Sequence, residues 1–284
     1  MNVQEFLKDC REQWPDFDES GTLARYDHPR ERTLSALPKE IQGMATENKL
    51  MLLNLAVRNL ALDEVYVEIG CWRGLSLAGA AFNSAARIYA CDDFSQFQGD
   101  AAKLAETLER YTLPGQVQFY DGDFLSFLGS APWQPAPIGV YFYDGGHTFE
   151  QQYQALEQVL PWLADEALVI IDDTNAGQVR AANRQFFSSV SGFQLLSDIQ
   201  TPGNEFPTWW NGVQVYTYQR RDQSSDLKPP GLSYQASRLF WDGFMPPARE
   251  VLHIARIGMA KVPGIKPLYK HFRQRQLEGR TART

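Results

Sequence analysis

The sequence predicts an α/β fold built on a mostly parallel sheet with helices on both faces. Three observations carry this. Between Glu64 and Tyr218, short β-rich runs alternate with helix-compatible segments, the pattern of linked strand–helix–strand units. The first strand ends in an acid and two spaced glycines, Glu68-x-Gly70-x-x-x-Gly74; such a turn into a helix builds a crevice of nucleotide shape. Acids recur at four further strand ends, and a histidine follows one of them by three residues.

Taken in order, the strand-like runs are Val65–Ile69, Arg87–Cys91, Val117–Tyr120, Gly139–Tyr143, Ala167–Ile171, Phe193–Leu196 and Val213–Tyr218. Helical spacing marks Leu75–Ser84, Ala101–Tyr111, Phe124–Leu128, Phe149–Leu163 and Val179–Val190 between or after the first five. A loop with Pro202, Gly203 and Pro207, and no helix, separates the last two strands, so these pair antiparallel at one edge. Upstream, Val3–Glu12 and Glu47–Leu60 read as helices flanking the polar segment Asp16–Arg32. The expected organisation is an N-terminal helical cap (1–60), a core domain (61–220), a linker (221–231) of Pro, Gly and polar residues, and a C-terminal helical extension (232–284).

Charge separates the body from the tail. Residues 232–284 hold ten Lys/Arg against three Asp/Glu, whereas the rest holds seventeen against thirty-one. An acidic body argues against nucleic acid as the partner. No apolar run approaches the ~20 residues of a bilayer span, and the first ten residues lack a signal-peptide pattern. Three scattered cysteines, Cys10, Cys71 and Cys91, match no zinc spacing and fit a reducing, cytoplasmic setting. The basic tail reads either as a solvated helical extension packed on the domain or as a surface for a partner or membrane.

Glu68-x-Gly70-x-x-x-Gly74 resembles the first motif of class I S-adenosylmethionine (SAM) methyltransferases, with Trp72 where many relatives place a middle glycine. Seven strands with a reversed last strand is the Rossmann-like sheet of that class. Over roughly Met44–Phe187 the chain is most similar to the metal-dependent O-methyltransferase branch that includes macrolide-sugar and other natural-product enzymes. The resemblance implies SAM as cofactor, held by Glu68, Gly70, Cys71, Trp72, Gly74, Asp92 or its neighbour Asp93, Asp123, Phe124 and Asp144. Asp92, at the second strand end, suits two ribose hydroxyls; Asp123 suits the adenine amino group, with Phe124 against the ring. Each acid also suits a helix N-cap or solvated turn.

Carboxyl ends of neighbouring parallel strands share one sheet edge, so Asp144 would meet Asp172 and Asp173 there. Three converging carboxylates repel unless a cation neutralises them, and oxygen ligands favour a hard ion such as Mg²⁺. The resemblance implies Asp144, Asp172 and Asp173 as metal ligands and His147 as the base that deprotonates a hydroxyl. The acceptor is expected to be a sugar or polyhydroxylated natural product, and a homo-oligomer is compatible with the sequence. Family architecture adds Tyr26, His28 and Arg30 as capping candidates and Met44 and Thr46 as ligand contacts. Phe206, Trp209 and Trp210 suit either acceptor stacking or packing. The rival readings are metal-independent methyl transfer, a nucleotide-dependent oxidoreductase, and a silent SAM-fold module with a docking tail.

Overall fold

The structure is a computed structural model that describes residues 1–17, 27–97, 99–220 and 231–247. The chain divides into Met1–Gly231 and Leu232–Thr284. In the first unit, α1 (Val3–Gln13), α2 (Leu37–Glu40) and α3 (Glu47–Arg58) precede an alternation of strands and helices: β1 (Val65–Ile69), α4 (Leu75–Ala81), β2 (Arg87–Asp92), α5 (Ala101–Tyr111), β3 (Val117–Asp121) and α6 (Phe124–Ser130). The series continues through β4 (Ile138–Tyr143), α7 (Phe149–Val159), β5 (Leu163–Asp172), α8 (Gly177–Ser189), β6 (Phe193–Ile199) and β7 (Val213–Gln219).

The seven strands lie in the order β3-β2-β1-β4-β5-β7-β6. β1 through β5 pair in parallel, and β7 runs antiparallel to both β5 and β6. This is the expected sheet, with only the last strand reversed. The order of strands changes direction between β1 and β4, so the carboxyl ends of β1, β2, β4 and β5 open onto one edge at a switch point.

Boundaries shift where local chemistry overrides periodicity. α7 stops at Val159 and a 3₁₀ turn over Leu160–Trp162 takes its place, because Pro161 cannot continue the α-helical ladder. β5 consequently begins at Leu163, four residues before the expected start. α4 ends at Ala81, short of Ser84, and Asn83 follows with φ 51°.

α3 supports the site. Every residue from Glu47 to Val57 is buried, so this helix is enclosed on all sides. It lies tight on α4: a Cβ built at Gly79 would sit 2.8 Å from Leu50 Cβ. Asn54 Nδ2 donates to the carbonyls of Gly79 and Phe82 at 3.1 and 2.7 Å, covering the open end of α4. The sheet buries both faces in alternation. Val140, Phe142, Leu168, Ile170, Val213 and Val215 share one core with α1, α3 and α4. On the opposite face, Tyr216 stacks on Phe187 of α8 with centroids 3.7 Å apart.

In the second unit, α9 (Leu232–Arg238) continues into a π-helical turn over Leu239–Phe244, where the rings of Phe240 and Phe244 stack at 6.1 Å. Most of the expected C-terminal extension (232–284), with most of its basic residues, lies outside the described residues, as does nearly all of the expected linker. Among the described residues no helix is long and apolar enough to cross a membrane.

Candidate functional site

A cavity of about 330 Å³ opens at the carboxyl edge of the sheet, bordered by the loops after β1, β2, β4 and β5. The loop after β1 has left-handed backbone at every second residue: Gly70 at φ 87°, Trp72 at 42° and Gly74 at 83°. Trp72 therefore keeps the conformation that the glycine at this position would supply, at a steric cost that side-chain-bearing residues rarely carry outside functional sites. Its ring is held on two sides, by the Arg73 guanidinium 4.6 Å from the centroid and by Phe97 at 6.4 Å.

Asp92 closes β2 and anchors that loop. Its Oδ2 accepts the N–H of Trp72 at 2.7 Å and its Oδ1 that of Phe94 at 2.8 Å. Burial raises the Asp92 pKa, and these two amide bonds oppose the rise. Gly70, Cys71, Trp72, Asp92, Asp93 and Phe124 all border the cavity.

Glu68, Gly74 and Asp123 do not border the cavity. Asp123 is the N-cap of α6, accepting from Ser126 N at 2.8 Å; Gly122 faces the cavity in its place. Glu68 lies wholly buried behind the loop, where its carboxyl accepts from the Tyr66 hydroxyl at 2.6 Å and from Ser76 Oγ. It joins the end of β1 to the first turn of α4.

Burial pushes the Glu68 carboxyl up to about 7, although the Ser76 and Tyr66 hydroxyls hold it down in part. A raised carboxyl pKa means the folded chain retains a proton that the unfolded chain has lost. The resulting stability is full below the unfolded value of 4.5 and is lost as pH rises through about 7. Glu68→Gln should abolish this slope, which corresponds to about 3 kcal/mol across the window. Urea unfolding of both proteins at pH 5 and pH 8 measures it; equal slopes would show that Glu68 is ionised in the fold.

The acids after β4 and β5 meet with His147. Ligand atoms of Asp144, His147 and Asp173 all lie within 4.8 Å of one another. His147 Nε2 stands 2.6 Å from Asp173 Oδ2, and Asp173 Oδ1 accepts from Asn211 Nδ2 at 2.8 Å. Asp173 has φ 54°, a left-handed backbone for a non-glycine residue, and this turn brings its carboxylate toward the imidazole. Burial pushes the His147 pKa down, but the hydrogen bond and charge of Asp173 outweigh it and the net direction is up. Burial pushes Asp173 up, and His147, Lys49 and Asn211 together bring it below its ordinary value. Asp144 is pushed well up by burial and by the charges of Asp172 and Asp173.

Two carboxylates and one imidazole form a donor set suited to a divalent ion such as Mg²⁺ or Mn²⁺, so these residues fit a cation. Asp172, expected as the third metal ligand, also borders the cavity, but it is 3% exposed and ion-paired with Lys49 of α3. Lys49 also borders the cavity. It is absent from the expected site because it opens a predicted helix, where a lysine ordinarily faces water. Its signal lies in the following residues: Leu50 to Val57 leave no polar stripe, so a lysine at the head of that helix must find a buried partner.

The other candidates divide. Met44 borders the cavity, whereas Thr46 donates from Oγ1 to the Thr208 carbonyl. Trp209 is fully buried and packs on Trp14 with centroids 5.2 Å apart, so it belongs to the core; Trp210 borders the cavity. His28 and Arg30 are exposed and away from the cavity, and Tyr26 lies outside the described residues.

Residues 67–174 match the family model described as a methyltransferase domain. No curated protein matches the chain significantly. Among solved structures, a Klebsiella pneumoniae protein described as a candidate O-methyltransferase superposes with TM-score 0.51 at 19% identity, covering 68% of this chain and 92% of its own. TomG from Streptomyces achromogenes, an O-methyltransferase of tomaymycin synthesis bound to SAM, gives 0.50 at 18%, covering 67% and 91%. A Bacillus cereus O-methyltransferase bound to S-adenosylhomocysteine (SAH) gives 0.51 at 17%, covering 67% and 92%. At these identities the structures attest the fold, the seven-stranded sheet of class I methyltransferases, and residues 67–174 are similar to the methyltransferase-domain family.

Proposed function

We propose that this chain transfers the methyl group of SAM to a hydroxyl of a sugar or polyhydroxylated small molecule, with help from a divalent cation. The observation that carries the reading is the cluster of Asp144, His147 and Asp173 at the edge of a cavity whose other side is the Gly70–Gly74 loop and Asp92. A methyl donor lying along that loop and an acceptor hydroxyl beside His147 would meet within one enclosure. The O-methyltransferases of similar fold, one bound to SAM and one to SAH, support the choice of cofactor and of oxygen as the methylated atom.

The chemistry assigns separate tasks to the side chains. The acceptor oxygen attacks the sulfonium methyl in line, the S–CH₃ bond breaks toward sulfur, and SAH leaves neutral. The hydroxyl proton goes to His147. With Nε2–H directed at Asp173, the nitrogen that accepts is Nδ1. Asp173 orients the ring and stabilises the imidazolium that forms, and Asn211 holds the second oxygen of Asp173. Asp144 and Asp173 would hold the cation, which supplies Lewis acidity toward the substrate hydroxyl. Trp72 and Trp210 offer apolar faces for a ring of the acceptor.

Radiolabelled methyl transfer from SAM, measured over a panel of glycosides, free sugars and catechols, tests the reading. EDTA should lower the rate at least tenfold, and Mg²⁺ should restore it. Full activity after chelation would remove the cation from the scheme, and a chain that binds NADH but neither SAM nor SAH would overturn it altogether.

A further inference from the structure

Lys49 and Asp172 are both almost wholly enclosed, at 2% and 3% exposure. The Lys49 ammonium donates to Asp172 Oδ1, and the same oxygen accepts the backbone N–H of Asp173 at 2.7 Å. That oxygen is therefore committed twice, once to a fixed cation and once to the strained residue that faces His147. A divalent ion taken up by Asp172 would have to displace the ammonium or stand against it at close range. Either is unfavourable, because a buried charge stripped of its partner has no water to replace it. The three acids of this edge thus face two of the chain's own cationic groups, Lys49 on Asp172 and His147 on Asp173.

We infer that Lys49 is a resident cation that withdraws Asp172 from metal binding and limits this edge to one weakly held divalent ion between Asp144 and Asp173. The inference rests on the metal-assisted reading above. It makes Lys49 a specificity-determining residue: its side chain, rather than the number of nearby acids, sets how tightly the site takes a cation. It also accounts for a buried lysine near the head of a helix whose residues from Leu50 to Val57 are apolar except for Asn54.

The test is Mn²⁺ titration of the full chain, followed by the paramagnetic resonance of free Mn²⁺, with SAH binding measured by calorimetry on the same preparations. Lys49→Met should bind Mn²⁺ at least fivefold more tightly than the wild type, because Asp172 is released to join Asp144 and Asp173. The double variant K49M/D172N, neutral at both positions and close in volume, should return to within fivefold of the wild type. Uptake by Lys49→Met with none by the wild type would overturn the single weakly held ion and the metal-assisted reading with it. A Lys49→Met affinity less than fivefold above the wild type overturns it, as does a fivefold or greater loss in the double variant, since Asp172 would then be a ligand in the native site. No uptake by any of the three proteins overturns it too. Should Lys49→Met fail to fold, the double variant decides alone. Failure of the wild type to bind SAH would sink the methyl-transfer reading while leaving the Mn²⁺ comparison to judge Lys49 separately.

Discussion

His147→Ala should lower turnover by about 10²–10⁴-fold, the range over which a positioned general base acts, while leaving SAH affinity within a fewfold of the wild type. The separation follows from the bonding. His147 pairs with Asp173, whereas the Gly70–Gly74 loop is secured through Asp92 and the end of β4 by contacts that do not pass through the imidazole. The ring is partly buried, at 32% side-chain exposure, so truncation opens room for water without emptying a core site. Asp173 keeps Asn211 as a partner, which limits any collapse of the acid cluster. Partial restoration of turnover by imidazole in the buffer would mark a lost proton acceptor rather than a lost support. Unchanged turnover would retire His147 as the base, and a matching fall in SAH affinity would make it a support of the cofactor site.

The sheet was legible because each strand is short, β-rich and bounded by a turn or helix start, and each parallel crossover needs its helix. β7 could be placed as reversed from a negative feature alone, the absence of a helix between Phe193–Leu196 and Val213–Tyr218. Ends were less legible. At Leu163 the helical apolar spacing runs straight into an extended segment, and only Pro161 marks the change.

Within the site, the strand-end acids were legible as positions but not as roles. Asp92 and Asp123 have the same local pattern, an acid at a strand end before a helix or turn; one closes on the Gly70–Gly74 loop and the other caps its own helix. The difference lies in long-range packing, which a local pattern does not carry. Asp172 and Asp173 are adjacent in sequence yet face different partners, because the left-handed turn at Asp173 redirects its side chain. No residue preference announces that turn, since aspartate there replaces the glycine that would have signalled it. Lys49 was hidden for the converse reason: its neighbours in sequence identify a helix, and its partner is 123 residues away.

Gly70→Ala should destroy the site and much of the stability with it. A methyl group at this position would lie 2.1 Å from the Asp144 carbonyl oxygen, 2.5 Å from its carbon and 2.9 Å from Gly145 N. All three are backbone atoms, so no rotamer change relieves the overlap. Neither side can retreat freely, because Gly70 N donates to the Cys91 carbonyl and Asp144 N donates to the Ile69 carbonyl, both at 2.9 Å. The φ of 87° adds the ordinary cost of placing alanine in left-handed backbone. Overpacking and strain together amount to about 3 kcal/mol or more, which lowers Tm by roughly 6–12 °C in a chain of this size. The shift needed to fit the methyl separates the end of β1 from Asp144, so SAH affinity should fall about 100-fold or more as the loop and the acid cluster part. Gly129→Ala is the matched control: a Cβ there meets nothing within 4 Å, and alanine in α6 should be neutral or slightly stabilising. Thermal unfolding and SAH calorimetry on the two variants decide the matter; a Gly70→Ala protein with wild-type Tm and SAH affinity would mean that the β1 and β4 loops do not approach as closely as this geometry requires.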